Sequence, residues 1–281
     1  MRSINNVSIV LLILIMVFNF SACGISSDEI SEKFDNYSRD SNVVAVLDDT
    51  VFYFVDHSIN IRDIVDEDEE PNKGYFFSKN KLYFSTAKQN GIFDYSFFIY
   101  QCDIDGSNKT LVFEKHGYKT KPWSIAEKGV FYIEHYKATT FEQSSRVIDS
   151  YNVFTTIYET VSFGKELSLS DYTKKTNYDY SFTSNDEFLT IKKPKSNETF
   201  IINNKNLLNS SFGEALVNLE YSYYTFKVTE DDRIFLLYRI KSNDACYPHF
   251  ICEFIPSTND LVFKSLFFSY DVEHICIEYI M

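Results

Sequence analysis

The 281-residue sequence predicts an all-β chain, a β-propeller-like repeat of antiparallel four-stranded units with five or six blades. Three observations predict it. The chain carries 21 Tyr and 27 Phe against 8 Gly and 5 Pro, and aromatic residues favour pleated, half-buried surfaces. From Val43 onward one pattern keeps returning: an apolar strand, a polar two-residue turn, and a second strand rich in Phe, Tyr, Ile and Leu. The first residues of these turns are 31, 48, 58 and 46 apart, and three of the four spacings lie near or somewhat above the roughly 40–50 residues of one propeller blade. Many short strands would also suit a pair of β-sandwiches or a barrel.

The first element to justify is residues 1–22, which read as a signal peptide. Arg2 supplies a positive start, and Val7 to Phe18 form an apolar run of about the 7–15 residues such peptides use. The run is too short for a membrane span of roughly 20 residues. Small Ser21 and Ala22 then precede Cys23. Here the sequence resembles the bacterial lipoprotein family, whose lipobox places small residues just before a Cys. Phe20 stands where that family most often has Leu. The resemblance implies that the Cys23 thiol receives a diacylglycerol, that the chain is cut before it, and that its new N-terminus is acylated. Cys23 is then the lipidation site and the protein is held on the cell membrane, facing outside the cytoplasm. An ordinary secretory signal cut near Ala22 is the alternative. Two or more acyl chains anchor stably where one does not.

Residues 23–42 follow as the lipidated Cys and a flexible tether. From Gly24 they are rich in Ser and Asp and poor in apolar periodicity, with Ile30 and Phe34 alone suggesting a helical turn. Such a stretch suits a linker that lifts a domain off a bilayer.

Residues 43–281 form the β-propeller-like domain. Its hairpins turn at Asp48-Asp49, Lys79-Asn80, Glu127-Lys128, Asn185-Asp186 and Asp231-Asp232. Asp and Asn tolerate left-handed geometry, so hairpins close here with little Gly. A second hairpin follows twice, as Tyr100 to Phe113 and Phe250 to Phe263, each with a Cys, an acid, a polar turn and Leu-Val-Phe. With the hairpin before it, each makes a four-stranded unit, and a last strand near Ile275–Ile280 completes the ring. A strand ending Asp103-Ile-Asp-Gly-Ser-Asn108 before Leu-Val-Phe113 resembles the blades of TolB-like bacterial propellers, best over residues 75–113. That resemblance implies architecture and no functional residues.

Candidate chemistry is thin. Cys102 and Cys252 occupy matching places in the two repeat units, which points to equivalent buried niches. Export also permits a disulfide, Cys246 with Cys252 or one involving Cys276. His57, His116, His135, His249 and His274 are scattered and read as strand-edge surface residues, with no ligand spacing for a metal. The acidic run Asp66 to Glu70 lacks the Gly and alternation of a calcium loop and reads as a solvated connection. Asp103-Ile-Asp105-Gly106 lacks the distal Glu of such a loop and reads as a hairpin turn. Ser78 with Lys81 and Ser162 with Lys165 match Ser-x-x-Lys by spelling, but residues three apart on a strand point to opposite faces. Trp123, Tyr221, Tyr223, Tyr224 and the Tyr151–Tyr158 neighbourhood either line a glycan or peptide groove or pack one blade on the next.

The formal net charge is -13. Without residues 1–22 the chain keeps 26 basic against 40 acidic residues, a charge of -14. That sign repels nucleic acid and anionic lipid, and no cofactor signature is present. Two functional classes fit. One is a non-catalytic binding or scaffold module of the envelope, holding a protein, peptide or glycan. The other is an envelope hydrolase or lyase whose acids converge in the channel.

Overall fold

The computed structural model describes residues 25–140, 143–163, 181–184, 188–193, 198–229, 231–270 and 275–280. Among these the chain forms five antiparallel sheets. The first begins with β1 (Val43–Leu47), β2 (Val51–Tyr53) and β3 (Ser58–Asn60). The second is β4 (Glu69–Ser78), β5 (Lys81–Gly91), β6 (Asp94–Asp103) and β7 (Thr110–Tyr118). The third is β8 (Trp123–Glu127), β9 (Val130–Thr140), β10 (Gln143–Asn152) and β11 (Ile157–Phe163). The fourth has β12 (Ser181–Ser184), β13 (Phe188–Lys193) and β14 (Glu198–Asn203), and the fifth β15 (Tyr221–Val228), β16 (Ile234–Ile240), β17 (Tyr247–Ile255) and β18 (Asp260–Ser269). Finally β19 (Ile275–Tyr279) returns to the first sheet and pairs with β1, Val43 opposite Tyr279 and Leu47 opposite Ile275. The C-terminal strand thus completes the first blade, as expected.

First strands of neighbouring sheets meet, β4 on β8 and β15 on β19. They run the same way. Lys227 and Glu278, each near the end of its strand, pair at 2.9 Å, and the Tyr75 hydroxyl near the end of β4 lies 3.5 Å from Glu278. Early in β4 and β8, the Ser124 amide donates to Asn72 Oδ1 at 3.1 Å. Sheets joined through co-directional first strands make a propeller-like arrangement. Each link from second to third strand, and from sheet to sheet, then lies at one end, where the inner strands begin. We call that end the entry face, and the opposite end the exit face.

Side chains between sheets form the core. Val44, Val46 and Phe52 pack with Leu82, Phe84 and Cys102, joining the first and second sheets. Phe97 and Ile99 meet Phe131 and Ile133 between the second and third. Leu189, Ile191 and Ile202 meet Leu236 and Phe250 between the fourth and fifth. Val43 and Ala45 meet Phe235, Leu237 and Ile251 between the fifth and first.

The hairpin chemistry follows the sequence closely. Asp48 and Asp49 have φ of 51° and 57°, and Lys79 and Asn80 have 51° and 58°. Positive φ at both central residues defines the type I′ turn that matches strand twist. The third turn falls one residue later than expected, at Lys128-Gly129 with φ of 48° and 85°. Glu127 still pairs with Val130, so it belongs to the strand, and Gly129 takes the left-handed position at least steric cost. Asp232 keeps a positive φ of 63°, while the Thr229 amide donates to the Arg233 carbonyl at 2.9 Å, so this loop is longer than two residues. The Asn185-Asp186 turn lies outside the described residues.

The stretch expected to be a tether is, from residue 25, part of the domain. Ser26 caps α1 (Ser27–Phe34) by a reciprocal capping box with Glu29. Ile30 and Phe34, four apart and therefore on one helical face, are fully buried. Phe34 stacks on Phe263 at 5.0 Å and Phe250 at 5.9 Å. Lower down, Asp40 joins a charge cluster in which Arg233 and Lys264 both bind Glu253, at 2.7 Å and 2.8 Å. Sequence reasoning undervalued this segment because only two apolar residues mark the helix.

A short helix, α2 (Ile61–Ile64), links the first sheet to the second. After β14 the chain forms α3 (Asn204–Leu208) and a 3-10 turn (Gly213–Leu216). Phe212 between them is fully buried against Phe250 and Phe263. Any Cβ on Gly213 would strike the Leu208 carbonyl, so this tight return needs glycine there.

Candidate binding site

The helical link leaves a two-lobed groove at the entry end of β15. One lobe, of about 430 Å³, lies between Leu208, Leu216 and Val217 on the link and Tyr221. The other, of about 300 Å³, lies between Tyr221, Arg239, Lys241 and Tyr247. Glu220 and Tyr221 line both. Tyr221 leans edge-on against Phe250 and Tyr238, at 6.1 Å and 6.3 Å, which fixes its ring while leaving part of it accessible. Burial raises its phenol pKa, so the hydroxyl is neutral and able to donate a hydrogen bond. At the rim Lys241 pairs with Glu220 at 2.7 Å. One lobe therefore offers an apolar wall and the other offers aromatic, cationic and anionic groups. Concave sites of a few hundred Å³ with a few polar groups are typical of ligand binding.

Of the other aromatic candidates, Tyr223 and Tyr224 pack within the domain, edge-on to Tyr238 and His249. Tyr151 and Tyr158 stack on Phe113 across the second and third sheets, at 4.2 Å and 5.5 Å. Trp123 is exposed with Lys121 over its ring. Only Tyr221 among them reaches the groove.

Cys102 and Cys252 occupy equivalent third-strand positions opposite Leu82 and Leu236, and both are fully buried free thiols. Burial pushes the Cys102 thiol up to about 12 and Cys252 further. Cys246 and Cys276 are free too, so neither pairing weighed for Cys246 or Cys276 is formed. Asp103 to Gly106 makes a hairpin turn, with Asp103 paired to Lys81 and hydrogen-bonded by Asn108 at 2.6 Å. Ser78 and Lys81 do not take opposite faces as expected, because they stand opposite each other across the Lys79-Asn80 turn, and the Lys81 ammonium is held by Asp103. Ser162 lies on β11, while Lys165 lies outside the described residues. The acidic run is less solvated than expected. Glu69 is buried and accepts from Thr86 at 2.6 Å and Tyr100 at 2.7 Å, while Asp68 and Glu70 pair with Lys88 and Lys121. Among the described residues no three His, Cys, Asp or Glu side chains gather as a metal site.

The histidines are not uniformly at the surface. His57 stacks on Phe54 at 4.6 Å, and His116 is exposed on β7 beside Glu114. His135 contacts Asp149 at 3.0 Å, and His274 lies outside the described residues. His249 on β17 is fully buried, stacked on Phe267 at 5.0 Å with Tyr224 edge-on. Its Nδ1–H donates to the Tyr247 carbonyl at 2.8 Å, and Nε2 has no partner among the described residues. Burial, with the Arg239 charge across the strand pair adding to it, pushes this imidazole down to about 4. The unfolded chain therefore binds a proton that the native state refuses. Stability is full above pH 6.5 and falls as pH drops towards 4, by about 3 kcal/mol at 1.36 kcal/mol per unit. Urea midpoints of the parent and a His249→Phe chain, compared between pH 7 and 5, should show a steeper acid loss in the parent. Equal slopes would remove His249 as the source.

The second buried polar centre escaped sequence reasoning altogether. Asp149 on β10 is 2 % exposed. It meets His135, accepts from Tyr158 and from Thr160 at 2.7 Å, and lies 3.4 Å from Lys115 of the neighbouring sheet. Burial pushes its carboxyl up, but these hydrogen bonds and the lysine outweigh that and hold it well below the usual carboxylate range. The group is closed by protein partners and staples the second sheet to the third.

No family model and no curated protein matches the sequence. Solved structures similar in course include a hypothetical protein from Leishmania major, at 9% identity over 70% of this chain and 68% of that one, with a TM-score of 0.25. Another is the endo-arabinase from Bacteroides thetaiotaomicron VPI-5482, at 10% identity over 76% and 94%, TM-score 0.25. A third is the WD40 domain of SCAP from fission yeast, at 10% identity over 85% and 61%, TM-score 0.25. The propeller-like architecture itself is read from strand order and direction. No helix among the described residues is long and apolar enough to cross a membrane.

Proposed function

We propose that this protein is a membrane-anchored lipoprotein whose β domain is a non-catalytic binding module of the cell envelope, taking a protein, peptide or glycan in the groove around Tyr221. The observation that carries the reading is the mixed rim of that groove, where Tyr221 and Tyr247 stand beside Arg239, Lys241 and Glu220. Binding surfaces combine rigid aromatic anchors with polar groups in this way. The hydrolase or lyase alternative needs free carboxylates converging on one concavity. The inner-strand acid Glu278 is instead neutralised by Lys227, and Glu69 and Asp149 are engaged within the fold. The anchor rests on Phe20-Ser21-Ala22-Cys23.

A photo-crosslinking residue placed at Ser222 in the membrane-held chain tests the groove. One partner should be trapped, and Tyr221→Ala should abolish the adduct while the protein stays folded. Loss of the anchor in Cys23→Ala should release the protein from the membrane fraction. If purified protein cleaves an envelope polymer and Tyr221→Ala leaves trapping unchanged, the binding reading fails.

A further inference from the structure

We propose that the projecting Ile92–Phe93 hairpin tip on the entry face of the domain inserts into the lipid bilayer, as a second contact beside the acylated Cys23. The proposal rests on the anchor argued above. Ile25 is held at the entry face. Its carbonyl accepts from the Ser242 hydroxyl and the Asn243 amide, at 3.4 Å and 3.5 Å, and Ser27 reaches Cys246 at 2.9 Å. Those partners sit on the link between β16 and β17, which opens on that face. Cys23 is two residues from Ile25 and so no further than about 7 Å from it. The ten-residue β6 alone spans about 33 Å. A lipid on Cys23 therefore draws the entry face, not the exit face, to the membrane.

That face carries the three most exposed large hydrophobic side chains among the described residues, Tyr270 at 83%, Ile92 at 81% and Phe93 at 70%. Ile92 and Phe93 form the turn between β5 and β6, and every residue from Gln89 to Phe93 is exposed, so the hairpin projects. Turn geometry does not call for this pair. Neither has a positive φ, whereas the described turns at Asp48-Asp49, Lys79-Asn80 and Lys128-Gly129 use Asp, Asn, Lys and Gly. An apolar pair at a projecting turn is costly in water, and aromatic residues settle at membrane interfaces. Tyr270 lies on the link from the fifth sheet to the first and supplies another such ring. The tip sits on the second sheet and Ile25 on the fifth, so the tip and the anchor are separate contacts on one face, and the projecting hairpin holds the rest of that face off the bilayer. The acidic surplus makes a zwitterionic bilayer the better partner.

The test uses the acylated full chain carrying Trp123→Phe, which removes the only Trp. Either Phe93→Trp or Phe154→Trp is added, the latter on the exit face between β10 and β11. Each is reconstituted with phosphatidylcholine vesicles containing lipids brominated on their acyl chains. Loss of emission for Phe93→Trp, with emission kept for Phe154→Trp, is the expected result. Vesicle-bound protein with Phe93→Trp unquenched overturns the bilayer contact and leaves the anchor standing, a protein partner then being the tip's occupant. A chain that does not float with the vesicles overturns the anchor, and this proposal with it.

Discussion

A Phe34→Ala chain is expected to lose about 3–5 kcal/mol of stability, the usual cost of emptying a buried aromatic site. That is a large part of the 5–15 kcal/mol of a typical domain. The size follows from position. Phe34 is fully buried and stacked on Phe263 and Phe250, and it shares that cluster with Ile30, Phe212 and Leu216. Removing the ring opens a void where the N-terminal helix, the helical link and the fifth sheet meet. Urea unfolding measures the loss, and protease cutting within residues 35–42 should rise with it. A Phe34→Leu chain should lose less, since most of the volume is kept. A loss below about 1 kcal/mol for Phe34→Ala would mean that α1 is not docked in solution.

The consequence reaches function. The groove around Tyr221 and the helix are built on the same cluster, since Tyr221 leans edge-on against Phe250 and Phe34 stacks on the same ring. The segment that leads from Cys23 is thus packed into the wall beneath the groove. A pull on the anchor proposed at Cys23 would therefore bear directly on the groove, which a flexible tether of residues 23–42 would not have done.

Much of the fold was legible because turn chemistry and strand composition are local. Asp48-Asp49 and Lys79-Asn80 declare left-handed turns by residue type, and the matched Cys102 and Cys252 revealed equivalent strands before any contact was known. What stayed hidden depends on distant partners. Nothing local distinguishes buried His249 from exposed His116, since the difference is made by Phe267 and Tyr224. The groove arises where α3 and a 3-10 turn follow β14, and no motif announces that. Tyr221 was named as one of several aromatics, but Tyr223 shares its side of β15 and packs on the same Tyr238, while Tyr224 takes the other side against His249. What sets Tyr221 apart is its place at the strand's first residue, beside the helical link. Asp149 did leave a signal. It interrupts Val147-Ile148-Asp149-Ser150-Tyr151, a run buried at every position. An acid inside such a run asks for a cation or hydrogen-bond donors on other strands, and Lys115, with His135, Tyr158 and Thr160, is the answer.

Asp149→Ala should be the most damaging polar substitution in the domain, at about 3–5 kcal/mol, the range for breaking a buried ion pair from one side. The carboxylate holds Thr160, Tyr158, His135 and Lys115 at once. Its loss leaves two hydroxyls and an ammonium without their acceptor between the second and third sheets. Lys115→Met in the same chain should restore part of the loss, because the orphaned charge goes with it. The pH dependence has a definite sign. Asp149 is held below the ordinary value of 3.8, so its contribution is present above that pH and disappears as pH falls beneath it. Acid loss from His249 begins higher, near pH 6.5, so the two separate on a titration. In a His249→Phe background, the remaining steep loss should begin near pH 4, and Asp149→Ala should flatten it. If the steep loss persists in the double variant, the staple between these sheets is not Asp149.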